Sequence, residues 1–343
     1  MIHPKKLKRD LLAMSFKVAS FFSGAGGLDL GFHNAGFEIV WANEFDKKVT
    51  PTLRKNFPHT HVDDRSITLV KPEDLPDDLD GIIGGPPCQS WSEAGAKRGL
   101  GDKRGQVFLD YISLIKAKRP KFFLAENVAG MLSKTHVEAF AFLVKEMEST
   151  GYHVTYKLLN AADFGVPEDR LRVIFVGYQK SLGEFKFPEP AANKVTLKEA
   201  IWDLRDSAQP ALSGKRGQQN LTIPNHEFLV GGFSSMYMSR NRVRTWDEQS
   251  FTIQAGARHA PIHPDAPKMT KVAPDKFVFT GAEDAYRRLS VREAARIQTF
   301  PDDFEFIYED VATGYKMVGN AVAVKFAEVL AKQIFKDLES LNH

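Results

Sequence analysis

Cysteine is almost missing from this chain: Cys88 is the one thiol in 343 residues. A lone thiol cannot close an internal disulfide, which fits a reducing compartment and an expected cytoplasmic location. No Cys/His grouping has metal-ligand spacing, so no metal site is expected. No apolar run reaches the ~18 residues that a membrane-spanning helix needs, so no membrane partner is expected either. Internal repeats and low-complexity tracts are absent too. Charge of one sign is scarce: 46 Lys and Arg against 43 Asp and Glu give a net charge of +3. That balance permits nucleic-acid binding without arguing for it.

What is present is an ordinary apolar share, 43%, enough for one large domain and one smaller one. Lys5, Lys6, Lys8 and Arg9 precede Leu11, Leu12 and Ala13, like the start of a secretory signal. Lys17 breaks that run and Phe21 and Phe22 lead into a glycine loop, so residues 1–15 read as a basic lead-in, with Met14 a second candidate start.

Short apolar runs alternate with helical stretches. Residues 17–22, 39–43, 81–84, 122–125, 154–158 and 173–176 read as buried strands, and residues 106–118 and 320–338 as helices. This alternation predicts an α/β fold, a doubly wound and mostly parallel Rossmann-like sheet. From about 190 to 285 turn residues and scattered arginines dominate. The expected division is a catalytic domain of residues 1–185 and 302–343, and a smaller irregular domain with its hinge in residues 186–301.

Gly24, Gly26 and Gly27 lie between a strand and a helix, where backbone can approach a ligand and the helix end is electropositive. A dinucleotide loop would carry a third glycine at position 29, where Asp29 stands. Glu44 ends the next strand, where a carboxylate can accept ribose hydroxyls. A nucleoside ligand without a pyrophosphate fits; a ligand-free tight turn has the same sequence. Cys88 follows a strand end behind Pro86 and Pro87, where a nucleophile would be presented; the plainer reading is a small buried side chain. Glu126 also follows a strand end, as a proton-handling carboxyl or a surface cap.

Seven segments together resemble the cytosine-5 DNA methyltransferase family, in family order: Phe22-Ser-Gly-Ala-Gly-Gly, Asn43-Glu-Phe-Asp46, Gly85-Pro-Pro-Cys-Gln-Ser90, Glu126-Asn-Val, Asp163 to Arg172, Arg288 to Pro301, and Gly314 to Val322. The resemblance implies S-adenosylmethionine as cofactor, held by Phe22, Gly24, Ala25, Gly26, Gly27, Glu44, Pro87, Val107 and Asn320. Phe45 or Trp41 would flank the adenine. An acidic position after the next strand falls on Asp64, beside Asp63. Cys88 would be the nucleophile and Glu126 its partner on the base. Arg170 and Arg172 match the arginines of the family's Gln-x-Arg-x-Arg element, with Glu168 in place of the glutamine; direct catalysis and a structural ion pair are both open to them.

The region between Arg172 and Tyr286 resembles a target-recognition domain. Arg240, Arg242 and Arg244 alternate, so an extended strand would turn all three to one side, towards DNA or only towards solvent. Thr252 and Arg258 are further DNA candidates. The stretch from Gly232 to His263 is similar to members that modify the inner cytosine of GGCC. The resemblance implies a monomer acting on double-stranded DNA, paired with a restriction endonuclease of the same specificity. Three alternatives stand beside it: a tRNA cytosine methyltransferase, an NAD-dependent oxidoreductase and a catalytically silent DNA-binding module.

Overall fold

The computed structural model describes residues 15–87, 103–218 and 220–341. The chain begins with β1 (Lys17–Phe21), α1 (Gly27–Asn34), β2 (Glu38–Asn43), α2 (Thr50–Asn56) and β3 (His61–Asp63). β4 (Gly81–Gly84), α3 (Lys103–Lys118), β5 (Phe122–Val128) and α4 (Val137–Glu148) follow, then β6 (His153–Asn160) and β7 (Leu171–Tyr178). These strands form one seven-stranded sheet in the order β3-β2-β1-β4-β5-β7-β6. The first five pair in parallel, while β7 runs antiparallel between β5 and β6.

Burial on both faces explains why the central strands β1, β4, β5 and β7 read as continuous apolar runs, while the edge strand β6 is largely exposed. Successive side chains alternate between two cores, as the period of a strand requires. Val18, Ile83, Phe122 and Leu124 pack with Phe32, Phe326, Leu330 and Ile334 on one face. Ala19, Ile82, Phe123 and Ala125 pack with Phe108, Tyr111, Ile115 and Leu143 on the other.

Beyond β7 the elements shorten: α5 (Leu197–Ile201), β8 (Gln209–Pro210), β9 (Glu227–Phe228), β10 (Thr270–Ala273) and β11 (Lys276–Val278). Tyr237, Val243, Ile262, Ala266, Met269 and Tyr286 form a small core of their own there. The chain then enters α6 (Val291–Ile297), α7 (Val311–Asn320) and α8 (Val324–Glu339). α8 lies against α1, where Gly31 faces Ala327 so closely that an added Cβ would stand 2.4 Å from that side chain.

Two expectations need revision. The strand His61–Asp63 was not read, because three residues carry no legible period. The helix expected over residues 320–338 is two helices, with Asn320 ending α7 rather than starting α8. Side chains compensate for the interruption: Gln298 donates to the Val318 carbonyl, and Arg170 donates to the Gly319 and Ala321 carbonyls.

Candidate active site and nucleic-acid interface

The sheet register assembles the site. Phe21 is level with Asn43 on β2 and with Gly84 on β4, and Gly84 is level with Ala125 on β5. The next residues along these four strands are Phe22, Glu44, Gly85 and Glu126. They therefore share one row. Phe22, Glu44 and Gly85 stand just beyond the carboxyl ends of β1, β2 and β4, where open α/β sheets bind ligands. Glu126, expected after a strand end, lies inside β5, which continues to Val128 through its pairing with β7.

Phe22 has φ +54, a left-handed backbone that an aromatic residue rarely adopts and that clusters at functional sites. Gly24 also has positive φ, and a Cβ there would meet nothing within 4 Å, so this glycine opens onto free space. Gly26 and Gly27 differ from the expectation of ligand-facing glycines. A Cβ would strike the Phe57 ring at 2.4 Å from Gly26, and the Val322 carbonyl at 2.3 Å from Gly27, so packing demands both. Ala25, just before them, is buried in the core.

Glu44 accepts the Gly24 N–H at 2.9 Å and the Asp46 N–H at 2.8 Å. Burial pushes its carboxyl pKa up. Each oxygen keeps a second lone pair, so the group has capacity for hydroxyl donors. Of the two aromatic candidates, Trp41 is core, packed on Phe21 with ring centroids 4.9 Å apart. Phe45 is 67% exposed and is the one available as a flat platform. Asp63 is buried and bound on both oxygens by Arg65. Asp64 is more open, with one contact from Arg54 at 3.1 Å. Pro87 is exposed, Val107 is half-buried, and Asn320 is exposed at the end of α7.

Glu126 is joined to Arg172, with Arg172 Nε 2.6 Å from Glu126 Oε1. A Cβ on Gly85 would stand 3.4 Å from Glu126 Oε2, and Asn127 Nδ2 donates to the Pro86 carbonyl at 2.8 Å. The segment leading to Cys88 is thus fastened beside the Glu126 carboxylate. Cys88 itself lies outside the described residues.

The two arginines of the Arg-x-Arg element part company. Arg172 lines an open cleft with Ala129, Asn160, Asp169, Leu171 and Thr252. Arg170 is fully enclosed: it pairs with Glu168 at 3.2 Å and donates to the carbonyls of Ile253, Gly319 and Ala321. Burial lowers the Arg170 pKa and raises that of Glu168. Arg170 therefore resolves to the structural alternative.

Arg240, Arg242 and Arg244 do not form a face of three free cations: the backbone is extended at Arg240 and Val243 bridges to Ile262, but two of the three side chains are engaged within the protein. Arg240 is exposed. Arg242 is 8% exposed, donates to the Tyr237 and Met236 carbonyls, and stacks on the Tyr237 ring. Arg244 pairs with Asp169 and Glu248 and lies over the Phe251 ring. Even so, Arg240 and Arg242 line a second cleft with Asp169, Phe251, Thr252, Gln254, His259 and Pro261. Arg258 is exposed nearby. Asp169 and Thr252 line both clefts, and the Thr252 hydroxyl donates to the Asp169 carbonyl at 2.6 Å. Asp169 was missed as a site residue, although it stands between Glu168 and Arg170 in a segment already singled out.

Residues 16–336 match the model of the C-5 cytosine-specific DNA methylases. The chain is 57% identical to the type II methyltransferase M.MthTI of Methanothermobacter thermautotrophicus, over 96% of this chain and 99% of that one. It is 52% identical to the type II methyltransferase M.NgoPII of Neisseria gonorrhoeae, over 94% and 96%. A Spodoptera frugiperda DNMT2 variant shares the fold with a TM-score of 0.66 at 19% identity, covering 94% of this chain and all of that one.

Proposed function

The chain belongs to the C-5 cytosine-specific DNA methylase family, and from that premise we propose that it methylates C5 of a cytosine flipped out of a short duplex target, GGCC, using S-adenosylmethionine and Cys88. The observation that carries this reading is the Glu126–Arg172 pair, 2.6 Å apart beside the Gly85–Pro87 lead-in to Cys88.

The residues around the glycine loop suit the cofactor. Gly24 faces open space, Glu44 offers acceptor capacity and Phe45 presents an exposed ring. Phe22, Asp64, Pro87, Val107 and Asn320 complete the proposed pocket. When bound, S-adenosylmethionine supplies the methyl group that C5 receives.

Cytosine C5 is a weak nucleophile. The Cys88 thiolate adds to C6 and gives C5 enamine character, splitting one hard step into easier ones. Glu126 accepts from the exocyclic amine and shares a proton with N3, and that proton neutralises the negative charge that thiolate addition builds on the ring. Arg172 keeps the Glu126 carboxylate in place. Loss of the C5 proton and expulsion of the thiolate then restore aromaticity. A stacked base offers no access to C6, so the target nucleotide swings into the cleft beside Arg172 and Thr252.

Residues 186–301 read the sequence. Arg240 and Arg258 offer exposed guanidiniums for guanine or phosphate, and Thr252 and Arg242 shape the walls. Relatives named as type II methyltransferases support a protective partnership with an endonuclease of the same specificity. Plasmid DNA methylated by the enzyme should resist an endonuclease that cuts GGCC; complete cleavage would reject that target. Glu126→Gln should lower kcat by about 10²–10⁴-fold while cofactor binding persists. Tritium transfer to duplex DNA measures the first and calorimetric titration the second. Turnover within a few-fold of wild type would remove Glu126 from the reaction.

A further inference from the structure

The loop after β2 and the helix α7 are far apart in sequence, yet one ion pair joins them: Lys316 Nζ lies 2.7 Å from Asp46 Oδ2. Each end is prepared for this contact. Asp46 Oδ1 is occupied by the Lys48 N–H, and the Asp46 carbonyl accepts the Val49 and Thr50 N–H groups. The carboxylate is therefore held with Oδ2 turned outwards. On α7, Ala312, Lys316 and Asn320 are exposed at spacings of four, the repeat that puts side chains on one helix face. That face carries Asn320 one turn beyond Lys316 and is fastened to the β2 loop by Lys316.

Phe45 lies between two anchored neighbours. Glu44 is fixed by the Gly24 and Asp46 N–H groups, and Asp46 by Lys316. An aromatic residue 67% exposed in a loop would otherwise cost side-chain order each time a flat ligand settled on it.

We propose that Asp46 and Lys316 are positioning residues for the cofactor: their ion pair holds the Phe45 platform and the Asn320 face of α7 in a fixed relation to each other. The inference rests on the cofactor reading above. Neither residue touches the reacting atoms, so the effect falls on cofactor affinity and leaves chemistry alone. Lys316 is 51% exposed and Asp46 22%, and exposed pairs are weak, so each loss should be modest, about three- to fivefold in Kd.

The test titrates the full chain with S-adenosylmethionine, without DNA. Lys316→Met removes one charge, and Asp46→Asn removes the other while keeping an oxygen for the Lys48 N–H. Each should bind about three- to fivefold more weakly, and the double variant no more weakly than either alone, since both act through one contact. Lys316→Arg should stay within about twofold, because it preserves the charge. In steady state KM for the cofactor should rise while kcat at saturation holds. The wild-type advantage should shrink as salt rises. Lys332→Met, which breaks a pair with Glu328 on α8, is the control and should bind normally.

Losses that add in the double variant, unchanged affinity in both single variants, or a fall in kcat without a rise in KM would overturn the assignment. Failure of the wild type itself to bind S-adenosylmethionine would defeat the underlying cofactor reading. A wild type that binds, with variants that bind equally well, would defeat the ion-pair proposal alone.

Discussion

At the scale of single residues, Asp29 shows how position and environment separate. It stands where a dinucleotide loop would have its third glycine, and it is wholly buried in the first turn of α1. Neither carboxylate oxygen receives a well-aligned hydrogen bond, although the Ser20 and Ser23 hydroxyls lie beside the group. Burial raises its pKa from 3.8 to about 6, against the weaker opposing influence of the Ser20 and Ser23 hydroxyls. Between those two values the folded protein binds the proton and the unfolded chain does not, so stability falls as pH rises through that window. Above about 6 the whole penalty is present, on the order of 2–3 kcal/mol. Asp29→Asn should therefore stabilise the protein at pH 7 by up to about that amount, with the gain vanishing below about pH 4. Urea denaturation at both pH values checks it; a gain equal at the two would show that charge is not the cause.

His263 acts in the opposite sense. Burial, with the Arg287 cation, lowers its pKa to about 4 against the opposing pull of the Glu293, Asp265 and Asp206 carboxylates. Its contribution is complete above the unfolded value of 6.5 and is lost as pH falls towards 4. In the Asp29→Asn variant this opposing slope stands alone of the two, so stability should climb more steeply with pH between 4 and 6. Glu44 stands where the sequence puts it, just after a strand end, whereas β5 runs past Glu126 to Val128. Where an arginine goes was not legible in the sequence. Arg170 and Arg242 are committed to carbonyls, and for Arg170 these come from Ile253, Gly319 and Ala321, far away in sequence.

At the scale of elements, the Glu168–Arg170 pair is a junction. Glu168 Oε1 accepts the Ile253 N–H, and Arg170 reaches the carbonyls of Ile253, Gly319 and Ala321. It ties the entrance of β7 to the Thr252 segment and to the break between α7 and α8, so the proposed DNA and cofactor sides share one anchor. Arg170→Met should cost about 3–5 kcal/mol, because it leaves a buried carboxylate uncompensated. Glu168→Gln restores the family's residue, keeps the acceptor for Ile253 and gives up an oxygen that has no partner. It should lose less than Arg170→Met, a ranking that denaturation midpoints can reverse or uphold.

Helix packing offers a second test at this scale. An added Cβ at Gly31 would also stand 2.7 Å from the Glu328 amide and the Val324 carbonyl, and backbone cannot swing aside. Gly31→Ala should destabilise by about 1–3 kcal/mol as α1 and α8 are pushed apart. A midpoint unchanged from wild type would mean the two helices are not locked at this distance. The central strands β1, β4, β5 and β7 are legible as apolar runs buried on both faces, whereas β3 is three residues long and β6 is largely exposed. The placing of β7 between β5 and β6 was not legible, since strand order is decided by long-range pairing such as Ala125 with Phe175. The break at residues 321–323 was hidden for a like reason: the side chains that stabilise it come from Arg170 and Gln298.

For the molecule as a whole, sheet register brings Phe22, Glu44, Gly85 and Glu126 into one row, with the proposed cofactor residues Phe22 and Glu44 towards one side and the proposed base-handling Glu126 towards the other. Seven segments in family order resemble the cytosine-5 DNA methyltransferases, and the match over residues 16–336 establishes the family. No helix among the described residues is long and apolar enough to cross a membrane. The central claim is that a thiolate at position 88 bonds to the target pyrimidine while Glu126 steadies it. Duplex DNA carrying a 5-fluorocytosine at the inner position of GGCC, incubated with the enzyme and S-adenosylmethionine and followed by peptide mapping, tests this most directly. A stable protein–DNA adduct on the peptide containing Cys88, abolished by Cys88→Ala, is the predicted result. No adduct on DNA that the enzyme methylates normally when unfluorinated, or an adduct on a different peptide, would contradict it.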